Sequence, residues 1–330
     1  MPPTPPMPRI KPPALQPGDT VGIIAPASNI KRASLDAGCD ALRALGYKPV
    51  YLDSILEKNI YFAGSVERRA RELDEMFSRD DVRAIICARG GYGANYLLDT
   101  LDLKKIKAHP KIFVGYSDVT SLLTYILDSV GLVTFHGPMV AKDFAHADGI
   151  DLGSWEAALT RASEWSLNFE PGSGVKSLLP GSAEGILYGG CLSMLVASLG
   201  TPYEIHTAGT ILFIEDVAAK PYQIDRMLMQ LRLAGKFESV RGIVFGEMLD
   251  CSQNQSKDQD YTLEEVVLRV IENLDVPVAY GLRSGHVSRG NITLPFGVRA
   301  ALHVDRNEGS LRILESATTP AVGSSRAAKS

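Results

Sequence analysis

Apolar runs of strand length alternate with helical periods along most of this chain. TVGIIAPAS (20–28) ends in a turn. DVRAIICARGGYGANYLLDTL (81–101) reads as strand, glycine-rich turn and helix. KIFVGYSDVTSLLTYIL (111–127) repeats that plan, and GLVTFHGP (131–138) follows as the next strand. A strand apolar on both faces must be covered on both, and short parallel strands joined by helical crossovers supply that cover. The pattern predicts α/β architecture with a parallel sheet.

Between about residues 142 and 183 the pattern lapses. One short helix, SWEAALTRAS, precedes EPGSGVKSLLPGSAEG, whose glycine, serine and proline suit a connection between domains. A second set then begins: EGILYGG, the helix CLSMLVASLG, the strand TILFIEDV and the helix PYQIDRMLMQLRLAG. Ile224, Met227, Leu228 and Leu231 fall on one face of that last helix, and Gly235 suits its end. RGIVFGEML, TLEEVVLRVIENL, VPVAYGL and RAALHVD complete a smaller mixed α/β unit. The expected organisation is a disordered Pro-rich tail at 1–13, a first domain at 14–150, a linker at 151–182, a second domain at 183–315 and a disordered tail at 316–330.

With 330 residues the chain is long enough for two cores. A net charge of −4 without any basic stripe argues against nucleic acid or an anionic membrane as partner. Cys39, Cys87, Cys191 and Cys251 form no C-x-x-C pair, so neither a zinc ribbon nor a disulfide framework is indicated. MPPTPPMPRIKPP has no apolar segment of the kind a secretory signal needs, and no apolar run approaches the roughly 18 residues of a membrane span. A cytoplasmic protein is expected.

Ser117 stands where a strand turns into a helix, and two roles compete there. Serine is a leading helix N-cap, and a serine on a strand-to-helix elbow can also be a nucleophile. RGGYG (89–93) is either a tight turn that needs glycine or a set of outward N–H groups for an anion or oxyanion. It matches neither a dinucleotide fingerprint nor a phosphate loop. Ser28 to Lys31 is an S-x-x-K match, read as accidental because S-D-N and K-T-G are both missing. The six histidines are scattered and no H-E-x-x-H occurs, so no metal is expected. Two of them stand out: His136, closing the strand after the Ser117 helix, and His286, in LRSGHVSRGN. Glu215 and Asp216 end an apolar strand, where a carboxylate either orients a histidine or pairs with a cation such as Lys220.

RGGYGANYLLDTLD, FVGYSDVTSLL, FHGPM, GGCLSMLVASLGTPY, ILFIEDVAAKPYQIDRMLMQL and VPVAYGLRSGHVSRGNITLPFG together resemble the serine LD-carboxypeptidase family, the muramoyltetrapeptide carboxypeptidases. The likeness runs in matching order from about residue 14 to residue 305. It implies a flavodoxin-like N-terminal domain, a smaller C-terminal domain with the site between them, and a homodimer. The implied activity is cytoplasmic removal of the terminal D-alanine from murein tetrapeptide in peptidoglycan recycling, by cutting an L–D bond. The family's nucleophile falls on Ser117, its acid on Glu215 and its histidine on His286, with no cofactor. A related branch cleaves microcin-type aminoacyl adenylates, but RGGYG is closer to the carboxypeptidase branch. Two places depart from the pattern: Cys191, where GGNLS would carry asparagine, and Arg283-Ser284, where Pro-Phe or similar is common.

On this reading His286 takes the Ser117 proton, Glu215 holds the imidazole, and the Gly91 and Asp118 N–H groups receive the oxyanion. Arg283, with Arg89 second, is the candidate for the substrate's free carboxylate. Sheet position favours His136 as base, since adjacent βα units lie side by side, whereas the resemblance favours His286.

Overall fold

A computed structural model describes residues 8–160, 163–170, 172–252, 261–306 and 308–321. Two sheets organise it. In the first, strands run in the order Leu294–Phe296, Thr134–His136, Ile112–Gly115, Val82–Cys87, Thr20–Ile24 and Lys48–Val50. The last five are mutually parallel, and Leu294–Phe296 is antiparallel at the edge. Helices such as Val66–Ser78 and Thr120–Val130 connect these strands and cover them. The parallel sheet expected from the apolar runs is present, and its central strands are buried along almost their whole length.

Four parallel strands, Gly181–Cys191, Thr210–Glu215, Gly242–Gly246 and Val278–Leu282, make the centre of the second sheet. Antiparallel strands flank them: Arg299–Val304, Gly309–Ile313 and Trp165–Asn168 on one side, Lys176–Leu179 on the other. The helix Pro221–Leu233 buries Ile224, Leu228 and Leu231, with Met227 partly buried beside them, and Gly235 follows it with φ +71°.

Three stretches differ from the sequence reading. Residues 151–182 are not a plain linker. They hold the helix Leu152–Leu159, whose Trp155 is fully buried, and both outermost strands of the second sheet. Edge strands are short and half polar, so they carry little periodicity to read. Leu294–Phe296 comes from the C-terminal half yet completes the first sheet beside Thr134–His136. The tail segments 8–13 and 316–321 are packed: Ile10 bonds to Gly131 and Val133, Ala14 and Thr319 exchange backbone bonds with each other and Pro12, and Lys11 meets Glu315 at 2.6 Å. The bonds to Thr319 and Glu315 join residues some 300 apart and those of Ile10 some 120, beyond any local pattern. Residues 1–7 and 322–330 of the expected tails lie outside the described residues.

Candidate active site

Ser117 follows the strand Ile112–Gly115 and has φ +62°, the left-handed region that a non-glycine residue occupies only at a cost of about 1–3 kcal/mol. Its side chain caps neither the short turn Ser117–Val119 nor the helix Thr120–Val130. The Asp118 carboxylate is also turned away from that helix, accepting the Ala94 N–H at 2.7 Å and so tying RGGYG to the elbow. Capping therefore does not account for this serine. The elbow holds a hydroxyl at the wall of a cavity of about 560 Å³, also lined by Lys31, Arg89, Gly91, Lys142 and His286.

Glycine is required where RGGYG meets the elbow. A Cβ on Gly90 would lie 2.9 Å from the Ser117 Cβ and 3.1 Å from its Oγ. Arg69 fixes the far end of the loop, donating to the carbonyls of Pro26 and Gly93 at 2.8 and 2.6 Å. Ser28 is structural, accepting the Tyr92 N–H, whereas Lys31 of the same S-x-x-K match lines the cavity.

The second sheet supplies the acid and the histidine. Glu215 is the last residue of the strand Thr210–Glu215 and is fully buried. Its Oε2 accepts from His286 Nδ1 at 2.7 Å and from the His286 backbone N–H at 2.9 Å. Burial alone would raise this carboxyl, but the His286 charge, helped by contacts with both His136 and His286, outweighs it and holds the group well below the ordinary carboxylate range. Gly285, at φ +91°, allows the close approach, since a Cβ there would fall 2.6 Å from the Glu215 carboxyl carbon. Asn291, which sequence reasoning did not single out, brackets the loop by bonding both N–H and C=O of Gly285.

Asp216 does not share the task. Its oxygens accept the Ser193 and Val217 N–H groups, and neither carboxylate pairs with Lys220 among the described residues. Ser117 and His286 line one cavity without a direct hydrogen bond between them among the described residues. The two sheets are held in register around them. Cys191 donates its N–H to Thr120 Oγ1 at 3.1 Å, and Tyr188 donates to Asp128 Oδ2 at 2.7 Å.

Of the remaining candidates, Arg89 and Gly91 line this cavity, whereas Asp118 is not among its lining residues. Arg283 is elsewhere: it lines a separate cavity with Lys176, Glu247 and Arg289. Adjacent positions of a turning loop point in different directions, so nearness to His286 in sequence did not carry over to space. Lys31, set aside with an S-x-x-K match read as accidental, lines the cavity after all, and Lys142 was missed, its only local signal being a cation beside a turn. His136 is fully buried, and also reaches Glu215, its Nε2 standing 3.8 Å from Oε1.

Cys191, Glu215 and His286 bring three potential metal-ligating atoms within 4.8 Å of one another. The imidazole and carboxylate are already joined by a hydrogen bond, and burial pushes the Cys191 thiol far up, so it is held protonated. The departure from asparagine at 191 therefore introduces no thiolate nucleophile.

A doubly layered α/β scaffold that sets a strained serine, a buried carboxylate and a histidine on one cavity has the parts of a serine hydrolase. Residues 21–137 match the LD-carboxypeptidase N-terminal domain family and residues 184–302 the LD-carboxypeptidase C-terminal domain family. The chain belongs to the LD-carboxypeptidase family and is a peptidase. It is 41% identical over 295 residues, 89% of this chain and 91% of the relative, to a probable murein peptide carboxypeptidase of Bacillus subtilis. It is 32% identical, over 89% of this chain and 93% of the relative, to the Microcin C7 self-immunity protein MccF of Escherichia coli. The crystal structure of muramoyltetrapeptide carboxypeptidase from Oxalobacter formigenes is similar with a TM-score of 0.82 at 31% identity, covering 91% of this chain and all of that one.

Proposed function

We propose that this peptidase hydrolyses the L–D bond before the terminal D-alanine of a murein tetrapeptide, through a Ser117–His286–Glu215 triad and an acyl-enzyme. The observation that carries the reading is the 2.7 Å bond between His286 Nδ1 and buried Glu215, on the same cavity as the left-handed Ser117. With Nδ1 engaged, Nε2 is the nitrogen free to act as base.

His286 Nε2 takes the Ser117 Oγ proton as Oγ bonds to the scissile carbonyl carbon. The carbonyl oxygen becomes an oxyanion, for which the Gly91 and Asp118 N–H groups are the candidate donors; each such donor contributes about 3 kcal/mol to the transition state. Collapse expels D-alanine, whose nitrogen takes the proton from His286. Water, deprotonated by the same nitrogen, then releases the shortened peptide and restores Ser117.

Lys31, Arg89 and Lys142 suit the anionic substrate. Among the described residues, no aspartate or glutamate lines this cavity and none of the three cations is ion-paired. Arg89 replaces Arg283 as the proposed partner of the terminal carboxylate. Buried, unpaired cysteines support a reducing, cytoplasmic setting in cell-wall recycling, and no described helix is long and apolar enough to cross a membrane. The homodimer remains part of the proposal, to be read by light scattering.

Likeness to MccF supports a second reading, cleavage of an aminoacyl adenylate. The deciding experiment presents an L–D tetrapeptide and an aminoacyl sulfamoyl adenylate side by side. Release of D-alanine is expected. Turnover of the adenylate alone would overturn the carboxypeptidase reading.

A further inference from the structure

Glu215 has two histidines on it, and the mechanism above uses only one. Its Oε2 receives the backbone N–H and the Nδ1–H of His286, while Oε1 is buried with no hydrogen-bond partner among the described residues. The atom facing Oε1 is His136 Nε2, at 3.8 Å, and it too is buried and unpartnered. Two orphaned polar atoms opposite one another in a sealed site are rare, because each costs about 1–3 kcal/mol unless they serve one another. A bare ring nitrogen would set its lone pair against a carboxylate oxygen, so the proton belongs on Nε2.

The other side of the ring fits that assignment. His136 Nδ1 lies 3.0 Å from Ser284 Oγ, which is 2.8 Å from the Ile292 carbonyl. A hydroxyl both donates and accepts. It can give its proton to Nδ1 of a neutral ring, or accept from Nδ1 of a charged ring while donating to Ile292. Both of these states leave an N–H on Nε2 aimed at Glu215. The third, a neutral ring that donates from Nδ1 to a hydroxyl donating to Ile292, would set two lone pairs against each other at Nε2 and Oε1 and is disfavoured for that reason. Ser284 is one of the two positions where LRSGH departs from the family pattern, and phenylalanine there could do neither.

The rest of the His136 surroundings holds the ring without competing for it. Phe213 and Phe296 pack at centroid distances of 5.1 and 5.5 Å, and Tyr116 at 5.8 Å has its hydroxyl engaged by Asp143. His136 is fully buried and does not line the cavity. Besides Glu215 it touches Ser284 of the His286 loop and Tyr116, which lines the cavity and packs on His286 at 5.1 Å, and of these only Glu215 carries charge to the reacting histidine.

We propose that His136, set by Ser284, is a positioning residue for the catalytic acid: its Nε2–H faces the second oxygen of Glu215 and keeps the carboxylate oriented toward His286. This rests on the Ser117–His286–Glu215 reading. When His286 becomes charged during acylation, a carboxylate already held on its far oxygen does not rotate or take the proton.

The test compares His136→Phe, which removes the N–H, with His136→Gln, whose amide can return an N–H near the Nε2 position, and with Ser284→Ala. Each is made in the full chain beside wild type and Ser117→Ala, and melting temperatures are recorded. Turnover of the L–D tetrapeptide gives kcat and KM, and the rate of Ser117 labelling by a fluorophosphonate gives a readout that needs no substrate. His136→Phe should lower kcat and the labelling rate about 10-fold, less than a full hydrogen bond to a charged group would give because the N–H faces the carboxylate at 3.8 Å, with KM within about twofold. His136→Gln should recover most of that loss, and Ser284→Ala should fall between. Should the phenylalanine variant not fold, the Gln and Ala variants decide by the same kcat-against-KM split. Wild-type kcat and labelling in His136→Phe or in Ser284→Ala, or a glutamine variant no better than phenylalanine at equal melting temperature, would overturn the role. Turnover surviving in Ser117→Ala would instead overturn the triad reading beneath it.

Discussion

Glu215→Gln isolates what the buried charge contributes, because the amide has the same shape. Its carbonyl can still accept from the His286 N–H and Nδ1–H, which now stand 2.9 and 2.7 Å from Oε2. What disappears is the negative charge beside the ring that, in the proposed mechanism, becomes cationic as it takes the Ser117 proton. Two unit charges about 4 Å apart at an effective dielectric of about 20 attract by about 4 kcal/mol. The free imidazole of the ground state gains little from that field, so the loss falls on the transition state. At about 1.36 kcal/mol per decade, kcat should drop about 10³-fold with KM within about twofold. D-alanine release from the tetrapeptide, followed by chromatography at saturating substrate, measures it. A kcat within tenfold of wild type would refute the assignment of Glu215 as the charge that stabilises His286. A stability signature accompanies it. The folded carboxyl sits below its ordinary value of 4.5, so its contribution is complete above pH 4.5 and drains away as pH falls below it. Melting temperature should therefore fall less steeply below pH 4.5 in Glu215→Gln than in wild type.

Ser117→Ala and His286→Ala should each lower kcat by about 10⁴-fold or more, with the double variant no worse, since triad members act as a unit; additive losses would break the triad. Gly90→Ala brings a methyl to 3.1 Å from the Ser117 Oγ and should cut kcat and fluorophosphonate labelling well beyond its effect on melting temperature. Arg89→Ala should raise KM for the tetrapeptide about tenfold, the scale of a hydrogen bond to a charged group. Arg283→Lys should leave both constants unchanged, because Arg283 lines another cavity; the reverse pattern would return the carboxylate site to Arg283.

The fold class was written in local pattern. Runs such as TVGII and VRAIIC are, but for Thr20 and Arg83, apolar on both faces, and that pattern is legible locally because burial on both sides demands it. The edge strands Trp165–Asn168 and Lys176–Leu179, half polar and short, left no such trace and passed for linker. The site divided in the same way. YSDV announced a turn at Ser117, but a capping serine and an exposed nucleophile have the same neighbours in sequence. The left-handed backbone and the uncapped helix speak against capping, and the nucleophile role is what we propose in its place. His136 and His286 looked like rivals for one role, the first favoured by sheet order and the second by family resemblance. Glu215 lies between them, 71 residues from His286 along the chain, and it receives Nδ1 of one ring while facing Nε2 of the other. Residue type could propose an acid and two imidazoles. Which nitrogen meets which oxygen depends on two sheets packing at a fixed register, and that register is a property of side chains far apart in sequence.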